Sequence, residues 1–119
     1  MARLSIRIDL LPQGRIGPGK ILLLERIEDH GSIAAAGRSL GMSYRRAWEL
    51  VAETAGYLGA AVVATQAGGR HGGKATLTPL GQEAVRRYRA AEAEAAKAAA
   101  HELDALQRAA DSARKNSSG

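Results

Sequence analysis

The sequence predicts a mainly α-helical chain with a small β component: three helices, a two-stranded hairpin, then one long helix. Three observations predict it. Apolar residues recur at spacings of three and four through most of the 119 residues. A glycine-rich stretch, residues 67–74, lies between two short strand-like runs. From Pro79 onward, Gly81 is the only helix breaker for about thirty residues.

The elements follow in order. Leu4, Ile6, Ile8 and Leu10 alternate with Arg3, Ser5, Arg7 and Asp9, the pattern of a half-buried strand. Pro12 to Gly19 is a turn by composition. From Pro18 the period changes, and Ile21, Leu22, Leu24 and Ile27 give a helix ending at His30-Gly31, where glycine takes the left-handed position. Ser32 caps a short helix, Ile33 to Leu40, whose Ala35, Ala36 and Gly37 admit a close neighbour. Gly41 makes a tight turn, and Ser43 caps a third helix running to about Leu58. Tyr44, Ala47, Trp48, Val51, Ala55 and Leu58 form its buried stripe, with Trp48 in the core; Arg45, Arg46, Glu49 and Glu53 face outward. Val62–Gln66 and Ala75–Leu77 pair as a hairpin with a basic, glycine-rich tip. Thr78-Pro79 starts the last helix, expected over Pro79–Ala110 and so ~45 Å long. Asp111 to Gly119 is polar and expected to be disordered. The expected organisation is therefore a domain over 1–78, a long helix over 79–110 and a tail over 111–119.

Composition narrows the function. Net charge is +5. Residues 1–89 hold 13 Lys and Arg against 7 Asp and Glu, whereas residues 90–119 hold 4 against 5. The positive excess thus sits on the part that carries the short helices and the hairpin, which suits a phosphate backbone as partner. With no cysteine there is neither a disulfide framework nor a cysteine-based metal site or nucleophile. No apolar run approaches the roughly 20 residues of a membrane span, and the N-terminus lacks a signal-peptide core, so a cytoplasmic protein is expected. One Trp, three Tyr and no Phe are too few for the stacking platform of a single-strand binder, which favours duplex DNA. No catalytic constellation and no metal set is visible, so neither an enzyme nor a cofactor is expected.

Three helices, a hairpin with a basic tip and a further helix make the winged helix-turn-helix order. Within it, a short helix, a glycine turn and a longer helix are the geometry in which the second helix enters the major groove. That helix begins with Ser43, Tyr44, Arg45 and Arg46. Arginine forms a bidentate pair with guanine O6 and N7, and serine reaches a base edge or a phosphate. Tyr44 divides between core and phosphate contact. Glu49 either accepts from cytosine N4 or orients the arginines. Ser32, at the start of the preceding helix, joins the expected DNA contacts. In the hairpin tip, Arg70, His71 and Lys74 are the expected contacts, with Arg70 reaching a phosphate or a minor groove. The tip lacks GxxxxGK[ST] and is no nucleotide-binding loop.

The segment GSIAAAGRSLGMSYRRAWELV, Gly31 to Val51, resembles the N-terminal DNA-binding domain of the ModE-type molybdate-dependent regulators, whose helix-turn-helix is related to that of LysR-type regulators. The resemblance continues through GGRHGGKATLTPLGQEAVRRYR, Gly68 to Arg89, and takes in IGPGKILLLERIEDHGSI, Ile16 to Ile33. It implies a dimeric repressor or activator that contacts DNA through Ser43, Tyr44, Arg45, Arg46 and the wing. Full-length members carry molybdate-binding domains after the linker helix. No such β-rich segment follows here, so molybdate binding is not expected.

The long helix carries Leu80, Ala84, Tyr88, Ala91, Ala95, Leu103 and Leu106 at spacings of three and four. A rod of ~45 Å exceeds what so small a domain covers, so a homodimer joined through these residues is expected. A two-fold dimer reads a palindromic operator. The alternative function is an interaction module that modulates a full-length regulator.

Overall fold

The computed structural model describes residues 1–67 and 73–117. The chain is mainly α-helical with two short hairpins, a winged helix-turn-helix with extra helices after the wing. Its elements are β1 (Ile8–Leu10), β2 (Gly14–Ile16), α1 (Pro18–His30), α2 (Ile33–Ser39), α3 (Tyr44–Leu58), β3 (Val63–Gln66), β4 (Lys74–Leu77), α4 (Pro79–Ala98) and α5 (Ala100–Ser117). It divides into two compact units: one spans Arg7–Tyr88, and the other joins Met1–Ile6 to the residues from Arg89 on.

The first unit is built round a single core. Leu23, Leu24 and Ile27 of α1 meet Ile33 and Ala36 of α2, Ala47 and Val51 of α3, and Val62, Ala75 and Leu77 of the wing. Gly31 takes φ 73° and its N–H bonds the Ile27 carbonyl, closing α1 as expected. Small residues at the α2–α3 crossing allow the expected close approach: Gly37 is buried, and a Cβ there would press on the Ala47 methyl.

Two antiparallel hairpins flank these helices. β1 pairs with β2 in the register Ile8 opposite Ile16. The second strand, β2, falls inside the segment expected to be only a turn; Gly14 is tolerated because a side chain there would strike Tyr57 of α3. Residues 1–10 alternate between exposed and half-buried as expected, but only Ile8–Leu10 is strand. In the wing, β3 and β4 pair with Val63 opposite Leu77 and Gln66 opposite Lys74.

Hydrogen bonds fix the wing to its neighbours. Ala75 N–H donates to the Gly31 carbonyl at 2.8 Å. Leu77 N–H donates to Glu28 Oε2 at 3.0 Å. Thr78 Oγ1 donates to the Ala61 carbonyl at 2.7 Å and accepts from Gly81 N at 3.1 Å, capping α4. Gly81 is required by this junction, because a Cβ would fall inside the van der Waals shell of the Val62 carbonyl oxygen.

The helix expected over Pro79–Ala110 divides at Ala99, although i to i−4 bonds continue through it: Ala99 N to the Ala95 carbonyl and Leu103 N to the Ala99 carbonyl, both 2.9 Å. It also continues to Ser117, where disorder was expected. The reason is local. Asp111 Oδ1 accepts from Gln107 Nε2 at 3.0 Å and from Arg114 Nη2 at 3.1 Å, side-chain links one helical turn apart. The Gln107 bond, then that from Arg114, holds the Asp111 carboxyl below its ordinary range.

Candidate nucleic-acid interface

Helix α3 presents two distinct faces. Ala47, Val51 and Thr54 are buried. At ~100° per residue, Arg45, Glu49, Ala52 and Gly56 project roughly opposite that stripe, and all four are exposed. Trp48 therefore departs from expectation. It sits about a quarter-turn from the centre of the buried stripe, and it is 38% exposed instead of lying in the core. Tyr44, 57% exposed, packs edge to face on it, with ring centroids 6.2 Å apart.

The arginines at the start of α3 are organised by carboxylates. Arg45 Nε lies 3.4 Å from Glu49 Oε1, and Arg46 Nη1 lies 3.3 Å from Glu49 Oε2. Arg46 also approaches Glu53 at 4.0 Å, and Glu53 in turn meets Lys20 at 4.0 Å and accepts from the Tyr57 hydroxyl at 3.3 Å. Glu49 thus pairs with both arginines.

Ser32 and Ser43 act as helix caps. Ser32 Oγ accepts from Ala35 N at 3.0 Å, and Ser43 Oγ accepts from Arg46 N at 3.1 Å. A hydroxyl that accepts in this way keeps its own O–H to donate.

Between α3, the start of α2 and the wing runs a trough of about 740 Å³. Ser32, Tyr44 and Lys74 line it, as does Trp48. So do Arg38, Thr65 and Gln66, which the sequence reading did not single out. None of the described residues lining it is acidic, and Arg38 and Lys74 supply positive charge. Arg38 was missed because it lies on the short helix, whose alanines drew attention to packing; only the hairpin's return brings Lys74 and Gln66 alongside. The structure therefore gathers Ser32, Tyr44 and Lys74 in one trough, with Ser43, Arg45, Arg46 and Glu49 on the adjoining turns of α3. Arg70 and His71 lie outside the described residues.

On the helices after the wing, Tyr88 is fully buried and Leu80 packs on the chain's own core. Ala84, Ala91, Ala95 and Leu103 are half-buried, and Leu106 is 68% exposed. Among the described residues no cluster of His, Cys, Asp or Glu could hold a metal ion, and no helix is long and apolar enough to cross a membrane.

No protein-family model matches the chain. It is similar to the molybdenum-pterin-binding protein MopB of Rhodobacter capsulatus, 43% identical over 83 residues that cover 70% of this chain and 31% of that protein. It is 36% identical over 94 residues to the molybdenum transport protein ModE of Azotobacter vinelandii, covering 79% of this chain and 34% of the relative. To the DNA-binding transcriptional dual regulator ModE of Escherichia coli (strain K12) it is 35% identical over 71 residues, 60% of this chain and 27% of that protein. The chain thus spans about a third or less of the length of these curated relatives. Over the matched region it is homologous to ModE-type regulators.

Proposed function

We propose that the chain is a sequence-specific double-stranded DNA-binding transcriptional regulator, acting as a homodimer on a palindromic operator. The observation that carries this reading is the basic trough beside the outward face of α3. The α3 helix enters the major groove with Arg45, Glu49, Ala52 and Gly56 foremost. Ala52 and Gly56 have little or no side chain, so the helix can sit deep. Arg45 and Arg46, aimed by Glu49, address guanine O6 and N7. One strand's sugar-phosphate chain follows the trough, where Lys74 and the hydroxyls of Ser32, Ser43 and Tyr44 donate to phosphate oxygens. Arg70 and His71, outside the described residues, are assigned to the same phosphate contacts. The similarity to the Escherichia coli relative, a DNA-binding transcriptional dual regulator, supports the same assignment.

A second copy is assigned to the surface of Ala84, Ala91, Ala95, Leu103 and Leu106. Of the stripe read from the sequence, these are the residues outside the first unit's core and the hydrophobics packed on it.

The test is a binding titration on duplex DNA across a salt series. Affinity is expected to fall steeply as salt rises, and Lys74→Ala is expected to reduce the slope of log K against log salt by about 1. Binding that ignores salt would sink the proposal and favour an interaction module.

A further inference from the structure

Resting on the reading of α3 as the helix in the major groove, we infer that Trp48, backed by Tyr44, is an apolar reader of a thymine 5-methyl group in each half-site. The chain has one Trp and three Tyr, and this Trp and one of the Tyr stand together on an exposed flank of α3. Burial accounts for only part of the indole, which stays 38% exposed beside a core face formed by Ala47, Val51 and Thr54. The two rings meet edge to face at 90°, so each covers an edge of the other instead of both offering open faces side by side. What two perpendicular rings on this helix do offer is a compact apolar edge. It opens into a trough that carries Arg38 and Lys74 and no acid among its described lining residues. An apolar edge bordered by cations fits a target that is apolar at one point and anionic around it. The thymine methyl is the one apolar group on the major-groove edges of the four bases, and phosphates flank it.

Burying one methyl against the ring is expected to change affinity about fourfold. The experiment uses the full chain and the duplex it enriches from a random pool. Each thymine of a half-site is replaced in turn by deoxyuridine, which removes only the methyl, and affinity is measured for the unaltered protein, Trp48→Ala and Trp48→Phe. The expected result is a loss of about fourfold at one thymine per half-site, retained in Trp48→Phe and absent in Trp48→Ala. Placing 5-methylcytosine for cytosine opposite guanine at that position is expected to recover part of the loss caused by an unmethylated cytosine. Thermal unfolding of each variant identifies any that is not folded; the deoxyuridine series on the unaltered protein stands without them. Specific, salt-sensitive binding with no deoxyuridine effect, or an effect unchanged in folded Trp48→Ala, overturns this inference and leaves the proposed function intact. An enriched half-site without thymine also overturns it. Loss of salt-sensitive binding altogether overturns both.

Discussion

At the residue scale, the proposed site depends on how few carboxylates serve many donors. Glu49 holds both Arg45 and Arg46, and Glu53 holds Arg46, Lys20 and Tyr57. The arginine–glutamate pairs are exposed and add little to stability; in the proposed site their effect is to aim the guanidinium groups. Glu49→Ala is therefore expected to leave thermal stability within about 0.5 kcal/mol while lowering the ratio of specific to non-specific affinity, read by competition with random duplex. Unchanged discrimination would remove Glu49 from the site. Arg46→Ala is expected to cost about 1–3 kcal/mol of specific binding and to relax base preference at one position. Gly81 answers to a different constraint. Its Cα side faces the Val62 carbonyl, so Gly81→Ala must displace either α4 or the end of the wing. Overpacking of this kind costs about 1–3 kcal/mol, measurable by urea unfolding; an unchanged midpoint would mean the junction yields freely. Asp111 has its pKa lowered by Gln107 and Arg114. Its contribution to local helix is complete above the ordinary carboxylate range and fades as pH falls through the depressed value.

At the element scale, caps and glycines were the most legible signals. Ser32 and Ser43 cap α2 and α3, and Gly31, Gly41 and Gly59 all take positive φ. These signals are local: each needs only the residue and its next few neighbours. Ser43→Ala is expected to destabilise the fold by about 1 kcal/mol, seen as a shifted unfolding midpoint. What failed to show in the sequence depended on non-local partners. Trp48 reads as core from its type and spacing, yet the stripe centred on Ala47 and Val51 leaves it on the flank, and only the fold reveals the trough there. β2 was hidden by the glycines and prolines in and around it, since its pairing and its packing on Tyr57 override composition. Nothing local in the sequence marks Glu28, which receives the Leu77 N–H from a strand that returns 49 residues later. The polar end of α5 read as disorder because composition alone does not register the Gln107–Asp111–Arg114 link.

At the scale of the whole molecule, the proposal joins a DNA-reading unit to a surface for a second copy. Leu106 is left in water in the single chain, as a residue reserved for a partner would be. Leu103→Glu together with Leu106→Glu is expected to yield a monomer by sedimentation, with half-site binding retained and full-site affinity lost; a variant that stays dimeric would place the interface elsewhere. Selecting binding sites from a random duplex pool and sequencing them tests whether a two-fold protein reads duplex DNA through α3. An inverted repeat is expected to be enriched, its half-sites centred about one helical turn, ~34 Å, or a multiple of it apart. A pool that remains random after repeated selection would overturn that assignment.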